Sequence, residues 1–314
     1  MHITSLPGHY GIGEIGQQAF SFVDTLNSLG LGVWQFLPLG PTAYGDSPYQ
    51  PLSTFAGNEM LIDIDDLVQN GFLKTTEAAI LQSLPADYVD YGNLIPAKSK
   101  LLKIAAGRFA RQASSRLKRE FDAFIDQNDV DWLHEYALFR ILKTRHNERP
   151  WPQWDRQYVH HDDAALLRLE REAKAAINEI KVLQFLFHHQ WQRLRRYANE
   201  SGVRLFGDMP ICIALDSADA WANREILRID DNGQPDFVAG VPPDYFSEDG
   251  QLWGNPLYDW ETHAQTGYRW WIERMRASSE LADIVRIDHF RGFEAYWSVP
   301  ANAATARDGS WEPG

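Results

Sequence analysis

Apolar residues recur along this chain with two spacings, one helical and one strand-like. Phe20, Val23, Leu26 and Leu29 stand three apart and Gly30 follows them. That is one helix face with a stop behind it, so a helix is expected over 17–30. Before it, His2-Ile3-Thr4-Ser5-Leu6-Pro7 reads as the end of a strand. After it, residues 33–40 read as a full strand, which makes the start β-α-β. Residues 60–200 are mostly helical, with helices expected at 76–84, 97–113, 115–127 and 131–146. The longest periodicity covers 163–200, where Leu166, Leu169, Ala173, Ile177, Ile180, Leu183, Phe187, Trp191, Leu194 and Tyr197 form one stripe and Gly202 sits past its end.

Beyond that helix the period shortens again. Residues 203–214 read as a strand, with Asp208 where it gives way to its loop and Pro210 ending the pattern. Ile226, Leu227 and Ile229 lead through Asp230-Asp231-Asn232-Gly233 to Phe237 and Val238, which predicts a hairpin over 224–238. Residues 240–260 read as a long irregular loop whose aromatics argue against disorder. A helix over 264–281 carries Trp270, Trp271 and Met275 on its core face. A short buried strand within 282–291 closes the series.

That last strand carries the candidate chemistry. With a period of two, Ile284, Arg286, Asp288 and Phe290 share one face, and Val285, Ile287 and His289 take the other. An Arg and an Asp two apart on one face are close enough to pair, which favours an ionised Asp. An ionised carboxylate at a strand's C-terminal end suits a nucleophile at the mouth of a parallel barrel. A structural ion pair is the alternative reading of the same residues. The loop Tyr44-Gly45-Asp46-Ser47-Pro48-Tyr49-Gln50-Pro51 offers two tyrosines and a serine to a ligand. Trp253 and Asn255 offer a stacking face and an amide, as a sugar subsite requires. Asp208 is placed to accept from sugar hydroxyls, or to cap a turn.

Composition narrows the partners. Hydrophobic residues make up 44% of 314 and charged residues 23%, enough apolar content for a large globular core. A formal charge of −13 argues against nucleic acid and anionic membrane, which need clustered Lys and Arg. Cys212, the single cysteine, excludes an intrachain disulfide and reads as a small buried hydrophobe. No signal peptide or membrane-length apolar run is apparent, so a cytoplasmic protein is expected. Gly11-Ile12-Gly13-Glu14-Ile15-Gly16 matches G-x-G-x-x-G, but the following strand ends without an acidic residue. A glycine-rich turn before a helix is therefore expected rather than a nicotinamide site. Neither His160-His161 nor His188-His189 has metal-ligand spacing, and 230–233 lacks the closing Glu of a calcium loop.

Five ordered segments carry a resemblance. They are Thr4-Ser5-Leu6-Pro7 with Tyr10-Gly11-Ile12-Gly13, then Asp46-Ser47-Pro48-Tyr49-Gln50, then Gly207-Asp208-Met209-Pro210-Ile211. Trp253-Gly254-Asn255-Pro256-Leu257-Tyr258 and Val285-Arg286-Ile287-Asp288-His289-Phe290-Arg291-Gly292-Phe293 follow. The chain resembles the amylomaltases, the 4-α-glucanotransferases of glycoside hydrolase family 77. The resemblance implies an α/β fold, a partial (β/α)8 TIM barrel of the α-amylase type with a large helical insertion. Residues 1–60 are then the first part of the barrel, 61–200 the helical insertion, and 201–314 the continuation carrying Asp208 and Asp288. It implies Asp288 as nucleophile with Arg286 beside it. Ser47, Tyr49, Asp208, Trp253, Asn255, Glu248 and His289 follow as substrate contacts, and Tyr44 and Tyr91 as an accessory glucan contact. The implied partners are maltooligosaccharides and α-1,4-glucans, and the implied reaction is a retaining double displacement that needs no metal or organic cofactor.

One departure shapes the expectation. The family's general acid/base Glu lies on the strand after the nucleophile, and no residue up to Gly314 takes its place; neither Glu294 nor Glu312 does so. The 314 residues alone are therefore expected to lack transferase activity. An α-glucan hydrolase and a non-catalytic glucan-binding half-barrel remain as rival readings, separable by products and by binding without turnover.

Overall fold

The computed structural model describes residues 1–314 except Tyr44, so the expectation for Tyr44 lies outside the described residues. The elements run α1 (Gln17–Ser28), β1 (Val33–Gln35), α2 (Ile64–Gln69), α3 (Thr75–Ala78), α4 (Tyr91–Gln112), α5 (Ser115–Asn128), α6 (His134–Arg145), α7 (Arg156–Val159) and α8 (Asp163–Glu200). Then follow β2 (Arg204–Pro210), α9 (Ala218–Ala222), β3 (Phe237–Val241), β4 (Gln251–Pro256), α10 (Trp260–Gln265), α11 (Arg269–Leu281), β5 (Ile284–Asp288), β6 (Ala295–Pro300) and β7 (Ser310–Pro313).

Two sheets organise the molecule. The first is parallel, in the order β1-β2-β5. Such strands need crossovers, and α8 and α11 supply the last segments of them. The packed face of this sheet buries Trp34, Leu205 and Ala282 in one core with Phe36 and with Trp191 and Leu194 of α8. The Phe36 and Trp191 rings meet edge-on, 5.2 Å apart. At Gly207 an added Cβ would lie 2.9 Å from Ala282 Cβ, so only glycine admits this approach. The second sheet is antiparallel, in the order β4-β3-β6-β7.

The long helix forms as its stripe requires. Asp162 accepts from the Ala165 N–H at its N-terminus, and Gly202 (φ 75°) follows its C-terminus. Gln184 on α8 holds the loop that follows β1. Its amide donates to the Gly57 carbonyl (2.9 Å) and accepts from the Gly57 N–H (2.8 Å). Gly11 to Gly16 form a turn ahead of α1, with Gly11 at φ 78°, Gly13 donating to the Thr4 carbonyl, and Gly16 as the cap.

Several boundaries differ from the periodicity. Ile3–Ser5 is a 3₁₀ turn, not a strand end. The helix expected at 97–113 starts at Tyr91, because Asp90 caps it, and it runs through Pro96. The hairpin at 224–238 does not form. A turn closes at Asp230–Gln234, but Leu227 bridges Tyr258 while Phe237 pairs with β6. Residues 240–260 are not irregular, since β3 and β4 pair across them. Residues 292–314 build β6 and β7, and Glu312 on β7 pairs with Arg228. The 264–281 helix is interrupted by Gly267 and Tyr268, both at positive φ, between α10 and α11. β5 is less buried than expected because it stands at an edge of its sheet.

Two outcomes follow. An added Cβ at Gly57 would sit 2.0 Å from the Phe187 ring. Gly57→Ala is expected to lower stability by about 1–3 kcal/mol in urea melts, while Gly30→Asn, in open space, leaves it within about 0.5 kcal/mol. His188 on α8 packs on Phe124, Trp132 and Phe187, and burial lowers its pKa from 6.5 to about 4. The unfolded chain then binds a proton that the folded chain refuses. Stability is expected to fall as pH drops from about 6.5 to about 4, by up to about 3 kcal/mol from this residue. Melts of His188→Gln across that window should be flatter.

Candidate active site

The parallel register places the charged side chains. In β2 and β5, Asp208 lies opposite Arg286 and Pro210 opposite Asp288. Arg286 therefore has one acidic neighbour across the sheet and one along its own strand. Its Nε donates to Asp208 Oδ1 (3.0 Å) and its Nη2 to Asp288 Oδ1 (2.9 Å). Asp208, and then Asp288, raise the Arg286 pKa. The pairing expected from the period of two is present, and Asp208 joins it.

The two carboxylates differ in access. The Asp208 side chain is 2% exposed and that of Asp288 47%. Asp208 Oδ2 also accepts from the Tyr49 hydroxyl (2.8 Å), whose pKa rises to about 12 through burial and this contact. Asp208 is thus a buried brace inside β2, two residues before the strand's end, with both carboxyl oxygens engaged by the protein. Asp288 faces an open cleft of about 490 Å³, lined also by Tyr49, Gln50, Ile211, Cys212, Trp253, Asn255 and His289.

The cleft wall is built from β4 and from the segment after β2. Trp253 meets the His289 ring edge-on at 5.0 Å. His289 holds φ 54°, a costly conformation for a residue with a side chain, directly after Asp288. Burial lowers its pKa, so its ring tends to stay neutral. Asn255 is buried, with Nδ2 donating to the Ile213 carbonyl (2.7 Å) and Oδ1 accepting from Gln50 (3.3 Å). Its amide fixes the wall, and less of it is free for a ligand than its position beside Trp253 suggested.

The other expected contacts lie apart. Ser47 Oγ accepts from the Tyr49 N–H (3.3 Å) and so shapes the loop, and Ser47 does not line the cleft. The Glu248 side chain is 95% exposed on the β3–β4 turn, 3.8 Å from Arg307, and also does not line it. Tyr91 begins α4, half-buried against the first core, with Asp46 and Thr4 as its polar neighbours.

Sequence reasoning gave no role to Gln50 or Arg274, and read Cys212 as a small buried hydrophobe without placing it at the cleft. Cys212 reaches the cleft from the end of β2, and burial pushes its thiol up to about 12, too high for a thiolate at neutral pH. Arg274 on α11 is buried. It donates to the carbonyls of Pro210 and Ile211 and lies over the Trp270 and Trp271 rings at 5.3 and 5.0 Å. It fixes the backbone that faces Asp288. The Trp270-Trp271 pair was the available signal, since an Arg one turn later on that face reaches both rings.

This is a parallel β/α sheet with a braced carboxylate at a strand's end, the arrangement of barrel enzymes. The family model described as 4-alpha-glucanotransferase, glycoside hydrolase family 77, matches residues 1–314, and the chain belongs to that family. The 4-alpha-glucanotransferase of Synechocystis is 46% identical over 314 residues, covering 100% of this chain and 62% of that protein. That of Thermus thermophilus is 46% identical over 315 residues, covering 99% and 61%. The solved structure of amylomaltase from Streptococcus agalactiae in complex with acarbose superposes with TM-score 0.95 at 38% identity, over 100% of this chain and 63% of that one. The fold is accordingly a partial α/β barrel with a helical insertion. The chain spans about three fifths of the length of these relatives.

Asp208→Asn removes the charge that braces Arg286 from below. A loss of about 1–2 kcal/mol in urea melts is expected, at the lower end for charged hydrogen bonds because Arg286 is partly exposed to solvent. Unchanged stability would mean that the brace contributes nothing.

Proposed function

We propose that this chain carries the nucleophile of a 4-α-glucanotransferase and binds maltooligosaccharides in the Asp288 cleft. The observation behind this reading is the geometry of Asp288. It ends a parallel strand, is held by Arg286, and opens onto a cleft walled by Trp253 and His289. Family membership and the name shared by the relatives support it.

In this reading the Asp288 carboxylate attacks the anomeric carbon of a bound α-1,4-glucan. The leaving 4-oxygen takes a proton, and a covalent glucosyl ester forms on Asp288. The 4-hydroxyl of a second glucan, giving its proton to the group that protonated the leaving oxygen, then displaces Asp288 and forms a new α-1,4 bond with retained configuration. Arg286, already committed to both aspartates, keeps the attacking oxygen oriented. Trp253 offers an apolar face to a pyranose ring.

Retaining chemistry uses two carboxylates about 5–5.5 Å apart. Among the described residues lining this cleft, Asp288 is the one carboxylate. The 314 residues therefore supply the nucleophile and part of the binding surface, and the proton donor has to come from elsewhere. Two measurements test this. Maltotriose should quench Trp253 fluorescence in the 314-residue chain, an effect lost in Trp253→Phe, without turnover. Exchanging these residues for the matching segment of the Thermus thermophilus relative should give a chimera that converts maltotriose into glucose and longer oligosaccharides. Asp288→Asn should slow that chimera at least about a thousandfold. Turnover by the 314 residues alone, abolished by Asp288→Asn, would overturn the division of roles. A purely hydrolytic product pattern from the chimera would favour the hydrolase reading.

A further inference from the structure

A second and larger cleft, of about 820 Å³, opens between α5, α8 and the end of α11, and shares no lining residue with the Asp288 cleft. We propose that it is a second binding site for a neutral oligosaccharide, seated on helices outside the catalytic cleft. Its volume lies within the range of about 300–1,000 Å³ usual for small-ligand sites.

The charge pattern indicates the class of ligand. Three of its four arginines are already matched by carboxylates. Arg116 meets Glu120 at 2.7 Å, Arg193 meets Asp66 at 2.7 Å, and Arg195 meets Asp283 at 2.9 Å. Arg196 has no carboxylate within 4 Å among the described residues. Paired guanidinium and carboxylate groups present many donors and acceptors with little net field. An anion gains little there, whereas a polyol can use both kinds of group at once.

The floor of the cleft supplies the other half of sugar recognition. Phe124, Phe185 and His188 form an aromatic surface, with ring centroids of 5.8 Å for Phe124–Phe185 and 5.1 Å for Phe124–His188. His188 Nε2 is buried at this surface and has no hydrogen-bond partner. Its imidazole stays neutral at ordinary pH, so this nitrogen can exchange a hydrogen bond with a hydroxyl. A buried polar atom left unpaired is costly, and turning this ring to meet a ligand hydroxyl in the cleft removes the cost. Gln127 and Arg196, both exposed at the rim, complete a polar edge around the apolar floor.

The choice of a glucan as the oligosaccharide rests on the proposed function. Hydrogen exchange of the 314-residue chain, read by mass spectrometry with and without millimolar maltotriose, separates the two sites. Slowed exchange over 114–128 and 185–196 is expected in the wild type and, undiminished, in Trp253→Ala. His188→Phe with Arg196→Ala keeps the ring packing and removes the polar contacts. It should weaken protection of these helices by about fivefold while leaving protection at 251–256 intact. Gln127→Ala alone should have a smaller effect in the same direction. Protection confined to the Asp288 cleft would overturn this second site and leave the proposed function standing. Protection of the helices by inorganic phosphate but not by maltotriose would also overturn it, in favour of an anion pocket. Protection of the helices without protection at 251–256 would support the second site and count against the proposed function. Protection at neither place would remove both.

Discussion

Arg286 holds the functional end of this molecule together. One guanidinium joins a buried carboxylate on β2 to an exposed one on β5. The arrangement works because the two acids differ in access to water. Asp208 is buried within β2, with Arg286 on one oxygen and the Tyr49 hydroxyl on the other, and this anchored carboxyl sets where the guanidinium lies. Arg286 can then hold Asp288 by a second nitrogen while leaving that carboxylate open to the cleft. A solvent-exposed Arg–Asp pair by itself would be weak and mobile. The buried third member gives it a fixed direction.

The rest of the fold serves to hold β2 and β5 in register. The α8 helix covers the packed face of the parallel sheet, and its Trp191 and Leu194 fill the space against Phe36 and Leu205. Gln184 on the same helix ties down the backbone at Gly57, in the stretch that follows the Tyr49 loop. Arg274 on α11 pins the backbone at the end of β2. A long helix and a buried cation thus hold successive stretches of the site's backbone, α8 at Gly57 and Arg274 at Pro210 and Ile211. The antiparallel sheet then carries Trp253 and Asn255 to the open side.

The share of this that was legible in the sequence follows the range of the interactions. Helix α8 was readable end to end, because its stripe, cap and closing glycine all lie within one continuous segment. The Arg286–Asp288 pair was readable because two residues on one strand face are local neighbours. The resemblance to family 77 named Tyr49, Trp253, Asn255, Asp288 and His289, which line the cleft, together with Ser47 and Glu248, which do not. Ser47, Asn255 and Asp208 all appeared as groups offered to a ligand, and the structure engages each with the protein itself. The pairing of 237–241 with 295–300 was hidden by the strong local turn signal at Asn232-Gly233, since a turn does not specify which strands pair beyond it.

The sequence by itself determined the helical periods, the polarity of the strand that ends in Asp288, and the family. Each of these is encoded by residues a few positions apart, or by the order of short motifs. Only the tertiary structure decided that Asp208 lies beside Arg286, 78 positions away, and that Glu248 stands outside the cleft. It also decided that Arg274, which reads as an ordinary helix cation, is buried against the backbone facing Asp288. Burial and cross-strand register depend on how distant segments pack. Whether a polar side chain meets a ligand or the protein is settled by that packing, not by its neighbours in sequence.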